Sequence, residues 1–152
     1  VRAFVQNGGR LLAFNKSCDF AIKACQLKVK NLAADKKLTE FNTHGSTLRV
    51  QVDNQNPLCY GMPKQALVFH WDGPVLEIAE KFNAQQFETA ACYVKQDVLQ
   101  SGLLTGEQLI AGTPALVRAQ CGKGDVVLYG FAPQHRCQTN GSFKMLFNAL
   151  YR

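Results

Sequence analysis

The chain has 152 residues, of which 47% are hydrophobic and only 18% charged, a composition that fits one domain with its own core and excludes a disordered, coiled-coil or collagen-like chain. Its net charge of +6 raises nucleic acid or an anionic surface as a partner, a question that the clustering of the charges has to decide. No run approaches the roughly 18 to 20 consecutive apolar residues that a membrane-spanning helix needs, so a membrane partner is not expected.

In chain order, the opening VRAFVQNGG reads as the last turn of a helix and its glycine stop, which predicts that the chain is part of a larger polypeptide. RLLAFN (10 to 15) follows the Gly8-Gly9 break as a short apolar run, the pattern of a central strand buried on both faces. SCDFAIKACQLKVKNL (17 to 32) places Cys18, Ile22, Cys25 and Val29 at helical spacing, with Lys23, Gln26, Lys28 and Lys30 on the other faces. Ser17 is placed to cap this amphipathic helix, and Asp19 puts a negative charge near its positive end.

Residues 34 to 47 are polar. LRVQVD (48 to 53) then alternates Leu48, Val50 and Val52 with Arg49, Gln51 and Asp53, a half-exposed strand. NQNPLCYGMPK, with Pro57, Gly61 and Pro63, predicts an ordered turn region. ALVFH (66 to 70) and PVLEIAEKF (74 to 82) are further short elements of open type, and TAACYVK (89 to 95) is apolar enough for a strand. ALVRAQ, CGKGD and VVLYGF together predict an antiparallel hairpin. After Pro133 the polar segment QHRCQTNG leads to Ser142 as a helix cap, and Phe143, Leu146, Phe147 and Leu150 form an i, i+3, i+4, i+7 stripe on a closing helix. Strands alternating with helices and ending in a hairpin imply an α/β layered fold with a partly parallel sheet. There is no internal repeat.

The densest basic stretch, Lys23, Lys28, Lys30, Lys36 and Lys37, has no arginine and no alternating aromatic residues to stack on bases. It reads as a solvated helix face, so nucleic acid is not the expected partner. The six cysteines, at 18, 25, 59, 92, 121 and 137, contain no CxxC pair. Cys18 and Cys25 lie about 10 Å apart along a helix axis, beyond disulfide reach. Cys121 and Cys137 fall toward opposite ends of a strand, and the set reads as mostly buried free thiols. The histidines, His44, His70 and His135, lack metal-site spacing, so no metal is expected in this chain and each histidine reads as a loop residue making ordinary hydrogen bonds.

A strand running through a sharp turn into a helix is the geometry that presents a nucleophile at a helix N-terminus. By strand length the elbow residue is Asn15, whose amide cannot serve, while Ser17 and Cys18 fall in the first helical turn. Helix position acidifies a thiol at Cys18 but burial on the apolar stripe opposes this, which favours a core cysteine. The other polar concentration is Gln134, His135, Arg136, Gln138, Thr139 and Asn140. It stands at a strand end, where α/β folds place binding sites. Two readings of it stay open: a binding or docking loop, or a loop in which His135 and Arg136 tie the chain to neighbouring carbonyls or an acidic side chain.

Three segments, FVQNGGRLLAFNKSCDFAI, LRVQVDNQNPLCYGMP and above all LIAGTPALVRAQCGKGDVVLYGFAPQHRCQTNGSFKMLFNAL, resemble the C-terminal domain that follows the catalytic domain in a group of bacterial zinc carboxypeptidases. That domain is in turn similar to class I glutamine amidotransferases with a flavodoxin-like sheet. The resemblance implies that residues 1–152 form a single, partial amidotransferase-like accessory domain of a metallopeptidase that hydrolyses C-terminal residues from peptides. It further implies zinc in the parent catalytic domain and not in this chain, that peptidase domain as partner, a possible homo-oligomer, and a secreted or periplasmic location. The amidotransferase pattern carries its cysteine at the end of the strand after the Gly-Gly break, where this chain has Asn15, and follows its histidine two residues later with Glu, where His135 is followed by Arg136 and Cys137.

Both catalytic positions therefore read as lost, and the site residues expected are those of a binding or docking loop: Asn15, Ser17, Gln134, His135, Arg136 and Gln138. Two alternatives compete with a non-catalytic domain. One is a thiol-dependent amidase or hydrolase with Cys18 as nucleophile and His135 as base, and the other is a basic module for polyanions.

Overall fold

In a computed structural model that describes residues 1–79 and 86–151, the chain orders as helix α1 (Arg2–Gln6), strand β1 (Arg10–Phe14), helix α2 (Ser17–Cys25), strand β2 (Val29–Asn31) and strand β3 (Ser46–Val52). Strands β4 (Gln65–His70), β5 (Leu76–Ile78), β6 (Phe87–Tyr93) and β7 (Leu99–Ser101) follow. Helix α3 (Glu107–Ile110), the hairpin strands β8 (Pro114–Cys121) and β9 (Gly124–Tyr129), and helix α4 (Phe143–Leu150) complete the chain. The main sheet runs β1-β9-β8-β6-β3-β4 with β7 also on β3, while β2 and β5 form a separate antiparallel pair. This is the expected α/β layering with a partly parallel sheet. β1 pairs parallel with β9, and the hairpin β8–β9 is antiparallel as its glycine-bearing loop predicts.

The apolar alternation of β3 is realised, with Leu48, Val50 and Val52 buried and Gln51 exposed. Every residue of β9 is buried because the sheet is covered on both faces there. β1 departs from its expected place: it lies at the sheet edge and is mostly half-buried, not central. A short apolar run marks burial but cannot count the strands beside it.

The basic helix is also shorter than its periodicity suggests. α2 stops at Cys25, Gln26 takes a left-handed conformation (φ 54°), and Val29 and Lys30 belong to β2. Leu76 and Ile78 of β5 supply strand partners for that segment, which override its helical spacing. Lys28 and Lys30 therefore leave the helix face on which they were counted. Of PVLEIAEKF, the strand covers 76–78, and 80–82 lie outside the described residues.

On α4 the register is rotated from the expected stripe. Met145 and Ala149 are fully buried against the core, whereas Phe147 and Leu150 are more than half exposed and Leu146 is intermediate. Neither predicted cap is made. Ser17 Oγ donates back to the Phe14 carbonyl and accepts from the Phe14 N–H, and Ser142 Oγ donates to the carbonyls of Pro133 and Thr139. All six cysteines are free thiols, four buried, Cys92 intermediate and Cys137 exposed. Among the described residues no helix is long and apolar enough to cross a membrane.

Candidate functional site

Parallel pairing places the C-terminal ends of β1 and β9 side by side, and the chain turns at Asn15 straight into α2. Asn15 has φ 52°, a left-handed conformation that asparagine tolerates better than most residues. Its backbone N–H donates to the Tyr129 carbonyl at 2.9 Å and its own carbonyl accepts from Cys18 N–H at 3.0 Å, which fixes the elbow from both sides. The side-chain Nδ2 donates to the Trp71 carbonyl at 2.7 Å, while Oδ1 is buried with no hydrogen-bond partner.

The segment that receives this bond, Trp71 to Pro74, follows β4 and carries the residues that sequence reasoning missed. His70, at the end of β4, is fully buried and not a loop residue. Its Nδ1 pairs with Thr43 Oγ1 at 2.7 Å, and its Nε2 has no partner. Burial pulls the His70 pKa down to about 4, with the Asp72 carboxylate and the Pro74 backbone opposing that shift. Gly73 is packed against both orphaned atoms: a Cβ there would meet Asn15 Oδ1, lie 2.6 Å from the Gly130 carbonyl and 3.0 Å from His70 Nε2. The dipeptide signal of Asp72-Gly73 before Pro74 marks a turn in the sequence but gives no hint that it would close over the elbow.

Outside this buried layer lies an aromatic and charged rim. The His44 ring packs edge-on to Trp71 with centroids 4.6 Å apart, and its Nδ1 is 3.4 Å from Asp72 Oδ2. Lys16 Nζ lies 3.9 Å from the same oxygen. The His135 ring stacks on Phe69 with centroids 4.6 Å apart and planes 9° apart, and leans against Trp71 at 5.4 Å. A cleft of about 330 Å³ opens beside the elbow, with Lys16, Asp19, Asn31, Thr43, Asp72 and Gly73 in its lining.

Of the residues expected in the site, Asn15 and His135 both contact Trp71, the first at its carbonyl and the second at its ring. Ser17 is spent on the backbone of Phe14. Arg136 and Gln138 are exposed in the loop, Arg136 with φ 46°, and Gln134 is exposed beside them. The thiol of Cys18 does not reach the rim: it is fully buried, donates toward the carbonyls of Ala13 and Tyr129, and is pushed up to about 12, first by burial and then by the Asp19 charge. Among the described residues no three of His, Cys, Asp and Glu cluster as a metal would require.

No protein-family model and no curated protein matches the chain. Solved structures do. One described as a GMP synthase subunit from Thermoplasma acidophilum aligns at TM-score 0.54 and 13% identity, over 91% of this chain and 54% of its own. A cytoplasmic protein from Salmonella typhimurium aligns at TM-score 0.59 and 12% identity, over 97% and 56%. A ThuA-like protein from Bacteroides uniformis aligns at TM-score 0.51 and 12% identity, over 97% and 59%. At such identities these similarities concern the fold alone, and the chain spans about half the length of the structures it matches. They correct the resemblance drawn from sequence. The fold neighbours include GMP synthase-like and ThuA-like proteins, and no link to a carboxypeptidase emerges, so the peptidase parent, its zinc and peptide substrates, and the secreted location inferred from them lose their basis. What stands is an α/β layered sheet whose fold is similar to those of a GMP synthase subunit and a ThuA-like protein.

Proposed function

We propose that this chain is a non-catalytic domain of the glutamine amidotransferase-like fold, which serves a larger protein or assembly by binding and not by bond breaking. The observation that carries this reading is the elbow itself. The strand-turn-helix that would hold a nucleophile is kept, with its left-handed backbone, but it holds the amide of Asn15. An amide nitrogen lacks the available lone pair that acyl transfer demands.

Position and acidity weigh against the thiol-enzyme alternative. Cys18 is sealed behind the backbone of β1 and β9, and its proton has two carbonyl acceptors, which leaves little thiolate at neutral pH. No hydrogen bond joins it to His135 among the described residues. The polyanion alternative loses its helix face, since α2 ends before Lys28. In the proposed reading the chain uses no cofactor, and the Asn15, His135 and Arg136 region faces the partner that the domain serves.

The test is a glutaminase and amidase assay on the purified chain, run beside alkylation of the native protein with iodoacetamide and peptide mapping. Labelling at exposed Cys137 with Cys18 unlabelled, and no turnover, supports the proposal. Turnover that is lost in both Cys18→Ser and His135→Ala would replace it with the thiol-enzyme reading.

A further inference from the structure

The sheet ends at β4, and its outer edge is only partly closed. In β3–β4 the Val52 N–H donates to the Lys64 carbonyl, and the antiparallel register runs from Gln51 opposite Gln65 to Ser46 opposite His70. Alternation along an antiparallel ladder then turns the backbone groups of Ala66, Val68 and His70 toward β3 and those of Gln65, Leu67 and Phe69 away from it. At Phe69 the chain closes its own edge: the Ala132 N–H donates to the Phe69 carbonyl at 2.9 Å, an isolated antiparallel bridge. One pair further along, at Leu67 and Gln65, nothing among the described residues takes the outward groups.

That open stretch borders a groove of about 470 Å³, lined by Met62, Pro63, Ala66, Leu67, Thr139 and Lys144 among others. Leu67 is 41% exposed, unusual for a leucine on an edge strand without a covering partner. One cation lines the groove, and a second adjoins it in the chain. Lys144 Nζ is held at its wall by the Gly61 carbonyl at 3.0 Å, and Lys64 immediately precedes the strand. Among the described residues neither ammonium forms an ion pair with a carboxylate, and the lining contains no acidic residue.

We infer that this edge is a docking site for an extended acidic peptide segment of a partner protein, which adds an antiparallel strand outside β4 in continuation of the Ala132 bridge. Main-chain bonds to Gln65 and Leu67 supply the pairing, alternate apolar side chains fill the groove over Met62 and Leu67, and carboxylates meet Lys64 and Lys144. The partner's acidity matches a chain of net charge +6. The site lies apart from the elbow, so it stands whether or not Asn15 is inert.

The probe is an N-acetylated, C-amidated heptapeptide of alternating glutamate and valine, titrated into the ¹⁵N-labelled chain at low salt and followed by amide chemical shifts. The expected result is saturable shifts at Gln65, Leu67, residues 61–63 and residues 139–144. The same peptide N-methylated at the valines or at the glutamates, whichever set faces β4, should lose binding at least about tenfold, the loss of one or more hydrogen bonds, without any change to the protein. A Lys64→Glu, Lys144→Glu double variant with unchanged circular dichroism should weaken binding by a similar factor. The inference is overturned by an absence of shifts at millimolar peptide, by equal binding of both N-methylated peptides, or by equal binding of a lysine-valine peptide. Shifts in the same residues that grow with protein concentration alone would overturn it in favour of a second copy of this chain at the edge.

Discussion

His70 should make this protein acid-labile over a specific window. Its imidazole is fully buried, bonded through Nδ1 to Thr43, with T-shaped aromatic neighbours in Phe41 and Tyr93. The neutral ring suits this layer, and burial holds its pKa near 4 instead of 6.5. The unfolded chain takes up a proton as pH falls below about 6.5 while the folded chain does not, so the unfolded state binds more protons and stability declines with falling pH. The stability that His70 contributes is complete above pH 6.5 and is lost by about pH 4. A separation of about two and a half units at 1.36 kcal/mol per unit sets the loss at roughly 3 kcal/mol. Urea melts at half-unit steps from pH 7.5 to 4 on the native chain and on His70→Gln, a near isostere without a titrating group, give the difference. The native chain should lose about 3 kcal/mol more than the variant over that range. His44 and His135 are present in both proteins and cancel. If His70→Gln does not fold, the His70 ring resonance in the native chain should still show no titration above pH 5. Parallel pH profiles in the two proteins, or a His70 resonance that titrates near 6.5, would refute the reasoning.

Other perturbations follow from the packing. Asp125 is buried and shared by Arg10, at 2.6 and 2.7 Å, and by Arg118, at 2.9 Å; burial opposes its ionisation, but hydrogen bonds from the two arginines outweigh burial and hold the carboxyl below its usual range. Asp125→Ala removes the carboxylate that both guanidiniums share and should cost about 3 kcal/mol in denaturant melts, the lower end for losing one partner of a buried pair, because Arg118 keeps Glu88 and some solvent and Arg10 keeps the Ala149 carbonyl. Met145→Ala should destabilise by roughly 2 to 5 kcal/mol, the range for a large core side chain. Leu146→Ala should cost less, about 1 to 2 kcal/mol, as suits partial burial; the reverse order would restore the stripe read from sequence. Gly73→Ala drives a methyl group toward Asn15 Oδ1 and the Gly130 carbonyl, and should lower the melting temperature by several degrees, about what a 1 to 3 kcal/mol loss gives in a domain of this size. A neutral effect would mean that the Trp71 to Pro74 turn does not close over the elbow.

Local elements whose signals are short-range were legible in the amino-acid pattern. The glycine-bearing loop between ALVRAQ and VVLYGF specifies a hairpin through backbone geometry that needs no partner, and the alternation in LRVQVD specifies a strand with one buried face. Strand length alone also counts to Asn15 as the elbow residue, and the structure gives that residue a left-handed backbone that the sequence did not foretell.

Where each element sits among its neighbours depends on contacts distant in the chain. β1 and a central strand share the same apolar run, and only the pairing with β9 on one side makes β1 an edge. The segment after Cys25 has helical spacing and strand-forming residues together, and β5, distant in sequence, selects the strand. The rotation of α4 that buries Met145 and not Phe147 depends on which face of the sheet the helix meets. The site shows the same division most clearly. Asn15, Thr43, the His70 to Gly73 stretch and His135 are separated by tens of residues and share no spacing pattern, so no periodicity links them. They are brought together because a sheet aligns the ends of its strands, and the orphaned atoms at Gly73 arise from that alignment, a non-local contact that sequence patterning does not encode.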